Sequence, residues 1–204
     1  MALVKYNNNS ISAVTSAASI PSAALTHIKT LTASSSATLS FVHGSNGVVL
    51  DSTYPIYKFE FINIHPATNG TFFQFNMSTD SGSNYNVAKT TTAFYAYHTE
   101  SGSASALTYD AGQDLAQGTG FQNLLYAISS DNDSAGSGEL SIYSPSSDTF
   151  VKHFLATSNT AATTPYTINF RYAGYGNTTS AVNAIRFQMS SGNFDGVIKL
   201  YGVS

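Results

Sequence analysis

The sequence predicts an all-β protein, a jelly-roll-like antiparallel β-sandwich of about ten short strands with an extended N-terminal arm. Short runs of alternating apolar and polar residues, separated by Gly, Asn, Ser and Asp clusters, recur along most of the chain. Ser, Thr, Asn, Gly, Tyr and Phe dominate the composition, a palette that favours strands and turns over helices. No stretch carries a sustained amphipathic helical period. Two packed sheets suit the mixture of half-buried and fully apolar strands, which is the reason for preferring a jelly roll. At 204 residues the chain is long enough for one large β domain, expected over 25–204.

Residues 1–24 are small and polar, and the scattered Leu3, Val4, Tyr6, Ile11, Val14 and Ile20 keep neither a helical nor a strand period. Alone, such a segment buries too little to order itself. It either packs on the body as an extra strand or loop, or lies on a neighbouring subunit, with these six side chains as the assembly contacts. Leu25 to Thr32 and Ala37 to Val42 read as short strands, the second with Leu39 and Phe41 on one face, and Asn46-Gly47 marks a turn.

The most strongly patterned stretch is Tyr54 to Ser78. Tyr57, Phe59 and Phe61 share one face, against Ile56, Lys58, Glu60, Ile62 and Ile64 on the other. Phe73, Phe75 and Met77 resume the alternation after Asn69-Gly70, so the stretch reads as a β-hairpin whose aromatic face needs covering. Beyond the polar Lys89 to Thr92, Ala93 to His98 supplies Phe94, Tyr95 and Tyr97 in a strand. Thr99 to Gly120 is long for a connection and is where function would sit. Phe121 to Ser129 has a nearly continuous apolar centre and reads as a central strand covered on both faces.

Asp131 to Gly138 is a turn cluster, and Glu139 to Tyr143 is a strand stopped by Ser144-Pro145. Val151 to Thr157 and Tyr166 to Tyr172 follow, the latter alternating Tyr166, Ile168, Phe170 and Tyr172 against Thr167, Asn169 and Arg171. Ala184 to Ser190 sets Ile185, Phe187 and Met189 against Arg186 and Gln188, and Val197 to Val203 ends the chain.

Charged residues make up only 9% of the chain and the net charge is -3, so no field favours nucleic acid or an anionic membrane. Without cysteine, neither a disulfide nor a thiolate metal site is available. The N-terminus lacks the apolar core of a secretory signal and no run has the length of a membrane helix, so synthesis and folding in a cytoplasm are expected.

His27, His43, His65, His98 and His153 keep no zinc-motif spacing. Asp131, Asp133 and Gly136 begin like a calcium loop, but Ile142 stands where the bidentate acid belongs. Asp110 and Asp114 are the one acid pair in a long loop and do not amount to a glycosidase pair. No Gly-x-Ser-x-Gly elbow or phosphate loop occurs. The expectation is a protein with no catalytic residues, metal or cofactor. Tyr95, Tyr97 and Tyr109, with Asp110 and Asp114, are the candidate ligand or partner surface, since tyrosines can stack on sugars.

The segments MALVKYNNNSISAVTSAASIP, STYPIYKFEFINIHP, AGQDLAQGTGFQ, SPSSDTFVKHF and NTTSAVNAIRFQMSSGNFDGVIKLYGV together resemble a family of small virion proteins of marine tailed phages, including those of cyanobacteria and related ocean bacteria. The resemblance runs over nearly the whole chain and brings no catalytic residues with it. It implies a non-enzymatic structural protein, made in the host cytoplasm and located in the virion. The first expectation is a capsid decoration or cement protein on the outside of the head, held by its N-terminal arm. The alternative is a tail fibre or lectin-like adhesin recognising a host surface glycan or receptor. The implied partners are copies of itself, as a cyclic trimer, and the phage capsid protein, or else tail proteins and host surface polysaccharide.

Overall fold

A computed structural model describes residues 24–204, so the arm side chains Leu3, Val4, Tyr6, Ile11, Val14 and Ile20 lie outside the described residues. Among the described residues twelve strands form, joined by turns and loops without a helix: β1 (Leu25–Ser36), β2 (Thr38–Val42), β3 (Ile56–Pro66), β4 (Thr71–Ser78), β5 (Lys89–Thr99), β6 (Ser105–Tyr109), β7 (Gln122–Ile128), β8 (Gly136–Tyr143), β9 (Lys152–Ala161), β10 (Tyr166–Gly176), β11 (Ala184–Met189) and β12 (Phe194–Val203). All pairings are antiparallel. The large sheet runs β1-β12-β3-β8-β9-β10-β5-β6 and the small one β2-β11-β4-β7, a sandwich of eight strands against four.

The inner faces are aromatic because strand alternation sends every second residue there. Tyr57, Phe59 and Phe61 of β3 are fully buried, as are Phe73 and Phe75 of β4 and Phe187 of β11. Phe187 stacks on Phe73 with ring centroids 5.6 Å apart and packs on Phe59 at 5.3 Å, while Phe61 meets Phe73 at 5.5 Å. The Phe187–Phe59 and Phe61–Phe73 contacts run between the sheets, so these phenylalanines join the two layers.

The expected Tyr54 to Ser78 hairpin does not form. β3 pairs with β12 and β8 in the large sheet, whereas β4 pairs with β11 and β7 in the small one. The connection therefore arches from one sheet to the other. A tight Asn-Gly reversal needs positive φ at both residues, and here only Gly70 has it, at 73°. Ala67 N–H donates to Asn193 O and Gly70 N–H to Ile128 O, each at 2.9 Å, which ties the arch to both layers.

A bulge corrects the second half of β3. Asn63 takes φ of 50° and the pairing register breaks between Phe61 and Ile64. Ile64 moves to the inner face and is wholly buried, while Lys58 and Glu60 stay outside. Lys58 Nζ lies 2.7 Å from Glu139 Oε2.

β7 is an edge strand of the small sheet, contrary to the central position expected from its apolar run. Its far side leans on the large sheet instead of on another strand. Ser158 Oγ donates to Leu124 O and Thr163 N–H to Ala127 O. Leu124, Leu125 and Ile128 are all fully buried between those surfaces, which is why the run is apolar on both faces.

The long stretch Thr99 to Gly120 is less loop-like than expected, because β6 forms within it and pairs with β5. The remainder lies along the start of β5, where Lys89 N–H donates to Gly118 O at 2.8 Å and Thr91 N–H to Leu115 O at 2.9 Å. That start is inward-facing, and Lys89 is completely buried. Its Nζ donates to Asn76 Oδ1 at 2.5 Å and to Val87 O at 2.8 Å, and burial pulls its pKa down to about 7.

Candidate functional site

The small sheet is too narrow to cover the whole inner face of the large one. Beyond β7, the inner faces of β10 and β5 emerge from under it. Along β10 the inward positions are buried at Tyr172, Phe170 and Ile168, and then half-buried at Tyr166. Along β5 they pass from buried Ala93 to half-buried Tyr95 and Tyr97. Register places Tyr97 opposite Ile168 and Tyr95 opposite Phe170, so the two strands together form an aromatic floor.

Tyr126 of β7 supplies a wall. Thr99 and Ala104, at the β5–β6 turn, and Thr164, between β9 and β10, close the end. The result is a recess of about 340 Å³. Tyr97 and Tyr166 have centroids 5.5 Å apart, and Tyr95 and Tyr97 6.1 Å. Phe170 anchors the group from below, meeting Tyr95 at 5.0 Å and stacking on Tyr126 at 5.3 Å.

Burial, reinforced by the neighbouring phenols of Tyr126, Tyr95 and Tyr97, raises the pKa of Tyr166 above the ordinary tyrosine value and keeps its hydroxyl protonated. Each phenol can donate and accept one or more hydrogen bonds, and each ring offers a face. Among the described residues the lining carries no carboxylate, imidazole, amine or guanidinium. Such a recess can bind and orient a ligand through its ring faces and hydroxyls.

The five candidate residues do not form one surface. Alternation along β5 sends Tyr95 and Tyr97 into the recess, whereas Tyr109 pairs with outward-facing Phe94 and lies on the opposite face of the sheet. The Tyr109 hydroxyl donates to Asp114 Oδ2, and this bond raises the phenol pKa. Asp110 Oδ1 instead accepts from Gly112 N–H at 3.0 Å and shapes the loop after β6. Two recess residues were not singled out from the sequence. Tyr166 was detectable from its alternation with Ile168 and Phe170, but Tyr126 sits inside an apolar run that gives no such sign.

Among the described residues, no group of three or more His, Asp or Glu side chains comes together to hold a metal. The histidines take local roles: His65 Nδ1 lies 2.7 Å from Ser134 O, and His43 Nδ1 accepts from Leu50 N–H at 3.1 Å. Asp131 serves its own turn, its carbonyl accepting from Ser134 N–H at 2.8 Å.

Outside, the large sheet carries exposed apolar side chains. Phe94 is 40% exposed, Leu107 75%, Tyr109 53% and Leu155 52%. Phe94, Leu107 and Tyr109 lie together on the outer face of β5 and β6, and Leu155 lies on the same face at β9. Comparison with protein-family models, curated proteins and solved structures finds no match for this chain.

Proposed function

We propose that this chain is a non-enzymatic structural protein of a tailed-phage virion, acting as a decoration or cement protein on the outside of the head. The observation that supports this reading is the outer face of the large sheet, where Phe94, Leu107 and Tyr109 expose apolar surface beside the edge strand β6. Exposed apolar groups collected on one side of a rigid sheet are characteristic of a docking face. Many copies, each burying a modest area against capsid protein, would hold the shell by avidity against the pressure of packed DNA. The N-terminal arm supplies a second contact in this reading, and a cyclic trimer suits local threefold positions of a shell.

A tail-fibre or adhesin role is the second reading, and the tyrosine recess is the observation that favours it. Copy number per particle separates the two. Quantitative mass spectrometry of purified virions, referred to the major capsid protein, should find hundreds of copies for a head protein. A few tens would place the chain on the tail, and absence from purified particles would refute a virion role altogether.

A further inference from the structure

We propose that the recess between β5, β7 and β10 is a binding site for an uncharged glycan, with a pyranose ring lying against Tyr97 and Tyr166. The site stands on its own geometry and does not depend on whether the chain is on the head or the tail.

The choice of residues is the first argument. Where the small sheet covers the large one, the inward positions of β10 are Ile168, Phe170 and Tyr172, all almost wholly buried. Where the cover ends, the inward side chains of both strands are tyrosines: Tyr166 on β10, and Tyr95 and Tyr97 on β5. Packing alone would be served by phenylalanine, whereas tyrosine adds a hydroxyl at the wet end of an apolar ring. None of the hydroxyls of Tyr95, Tyr97, Tyr126 and Tyr166 is hydrogen-bonded to another described side chain or backbone group, in contrast to those of Tyr57 and Tyr109. Four phenols with no partner among the described residues, around one recess, are an array of donors and acceptors backed by ring faces.

The second argument is the shape of the ligand that fits. A volume of about 340 Å³ lies at the lower end of the range for small-molecule sites, room for roughly one or two sugar rings. The floor strands have no unpaired edge, because β10 is bonded to β9 and β5, and β5 to β10 and β6. A peptide added as a further strand to the floor would find no backbone partner there. Recognition must therefore run through side-chain faces and hydroxyls. A pyranose presents the matching surfaces, an apolar C–H face for a ring and equatorial hydroxyls at its rim.

Charge is the third argument. Among the described residues no lining side chain carries a formal charge, and burial raises the Tyr166 pKa above its ordinary value. A uronic acid, sialic acid or phosphorylated sugar would bring a charge with no partner, so neutral hexose or pentose chains are the class selected.

The test uses the full chain and a fixed panel of neutral tetrasaccharides built from glucose, mannose, galactose and xylose, with a galacturonic acid tetrasaccharide as the charged control. Titration calorimetry gives the affinity, and tyrosine fluorescence, to which the recess contributes four of the thirteen tyrosines, is a supporting readout free of tryptophan background. At least one neutral member should bind at submillimolar concentration, and the charged control should not. Tyr97→Ala and Tyr166→Ala should each weaken that binding by about tenfold or more, the loss typical of truncating a central aromatic anchor. Tyr97→Phe should keep the stacking and lose less, and Tyr175→Ala, on the outer face of β10, should bind like the parent. Melting curves establish that each variant is folded. The proposal is overturned if no neutral member binds up to millimolar concentration, if the galacturonic acid control binds better, or if folded Tyr97→Ala and Tyr166→Ala bind unchanged. Copy number on the particle is measured separately, so this site and the decoration role fail independently.

Discussion

Lys89 offers the sharpest energetic test of the fold. Its side chain is fully buried and its Nζ meets only uncharged acceptors, Asn76 Oδ1 and Val87 O. Desolvation pulls the pKa from 10.5 to about 7. In the unfolded chain the amine holds its proton up to about pH 10.5, whereas in the fold it gives it up near pH 7. Between those limits the unfolded state binds more protons, so stability rises with pH; below the lower limit and above the upper one, Lys89 adds no slope. One proton corresponds to about 1.4 kcal/mol per pH unit in that window, or about 3 kcal/mol between about pH 6 and about pH 9.

Lys89→Met keeps the volume and removes the titration. Asn76 Oδ1 still accepts from Met77 N–H at 2.8 Å, so no side-chain acceptor is orphaned there. Urea denaturation followed by tyrosine fluorescence at several pH values should show the parent gaining about 3 kcal/mol on Lys89→Met across the window. Parallel stability curves for the two proteins would refute the reasoning and mean that the ammonium stays charged in the fold, its carbonyl acceptors outweighing the cost of burial.

Three further outcomes are expected. Gly138→Ala in β8 would place a Cβ 2.4 Å from Thr157 O and 2.7 Å from Ser158 Cα, both backbone atoms that cannot step aside, so the midpoint in urea should fall by the equivalent of about 1–3 kcal/mol; an unchanged midpoint would show that the β8–β9 spacing is wider than described. The buried Tyr172 hydroxyl has no hydrogen-bond partner among the described residues, so Tyr172→Phe should be neutral or stabilising by up to about 1 kcal/mol, and a clear loss of stability would contradict that assignment. Leu107→Asp, on the outer face of β6, should leave the melting temperature within a degree or so, since surface changes cost about 0.5 kcal/mol or less, while lowering incorporation into particles; normal incorporation would argue against this face as the docking surface.

Alternation along single strands was legible from the residues alone. The β10 pattern of Ile168, Phe170 and Tyr172 inward, with Thr167 and Arg171 exposed, was read correctly from its period of two. What alternation does not carry is the identity of the neighbour. In a hairpin β3 and β4 would be neighbours in one sheet; in the arch Phe61 and Phe73 face each other across the sandwich, and the alternation along each strand is the same in either arrangement. The pattern is therefore blind to the difference, and the pairing of β3 with β12 and β8 had to come from the other strands. A local pattern also cannot foresee a bulge, and one extra residue at Asn63 was enough to turn Ile64 inward.

The candidate site divides in the same way. Tyr95 and Tyr97 were visible in one strand, and Tyr109 beside the loop acids Asp110 and Asp114. That these belong to opposite sides of the sheet follows from the β5–β6 pairing. Tyr166 and Tyr126 join Tyr95 and Tyr97 only because an eight-stranded layer is covered by a four-stranded one that ends at β7.

The sequence by itself determined that this chain is all β, which residues share a face in most of its strands, and that its chemistry is aromatic and weakly charged, because period and composition are properties of neighbours along the chain. Only the tertiary structure decided which strands share a sheet, where a lysine is buried without a counter-ion, and where four tyrosines come out from under the smaller layer. Those depend on contacts between residues far apart in sequence, and no local rule encodes where one sheet stops covering another.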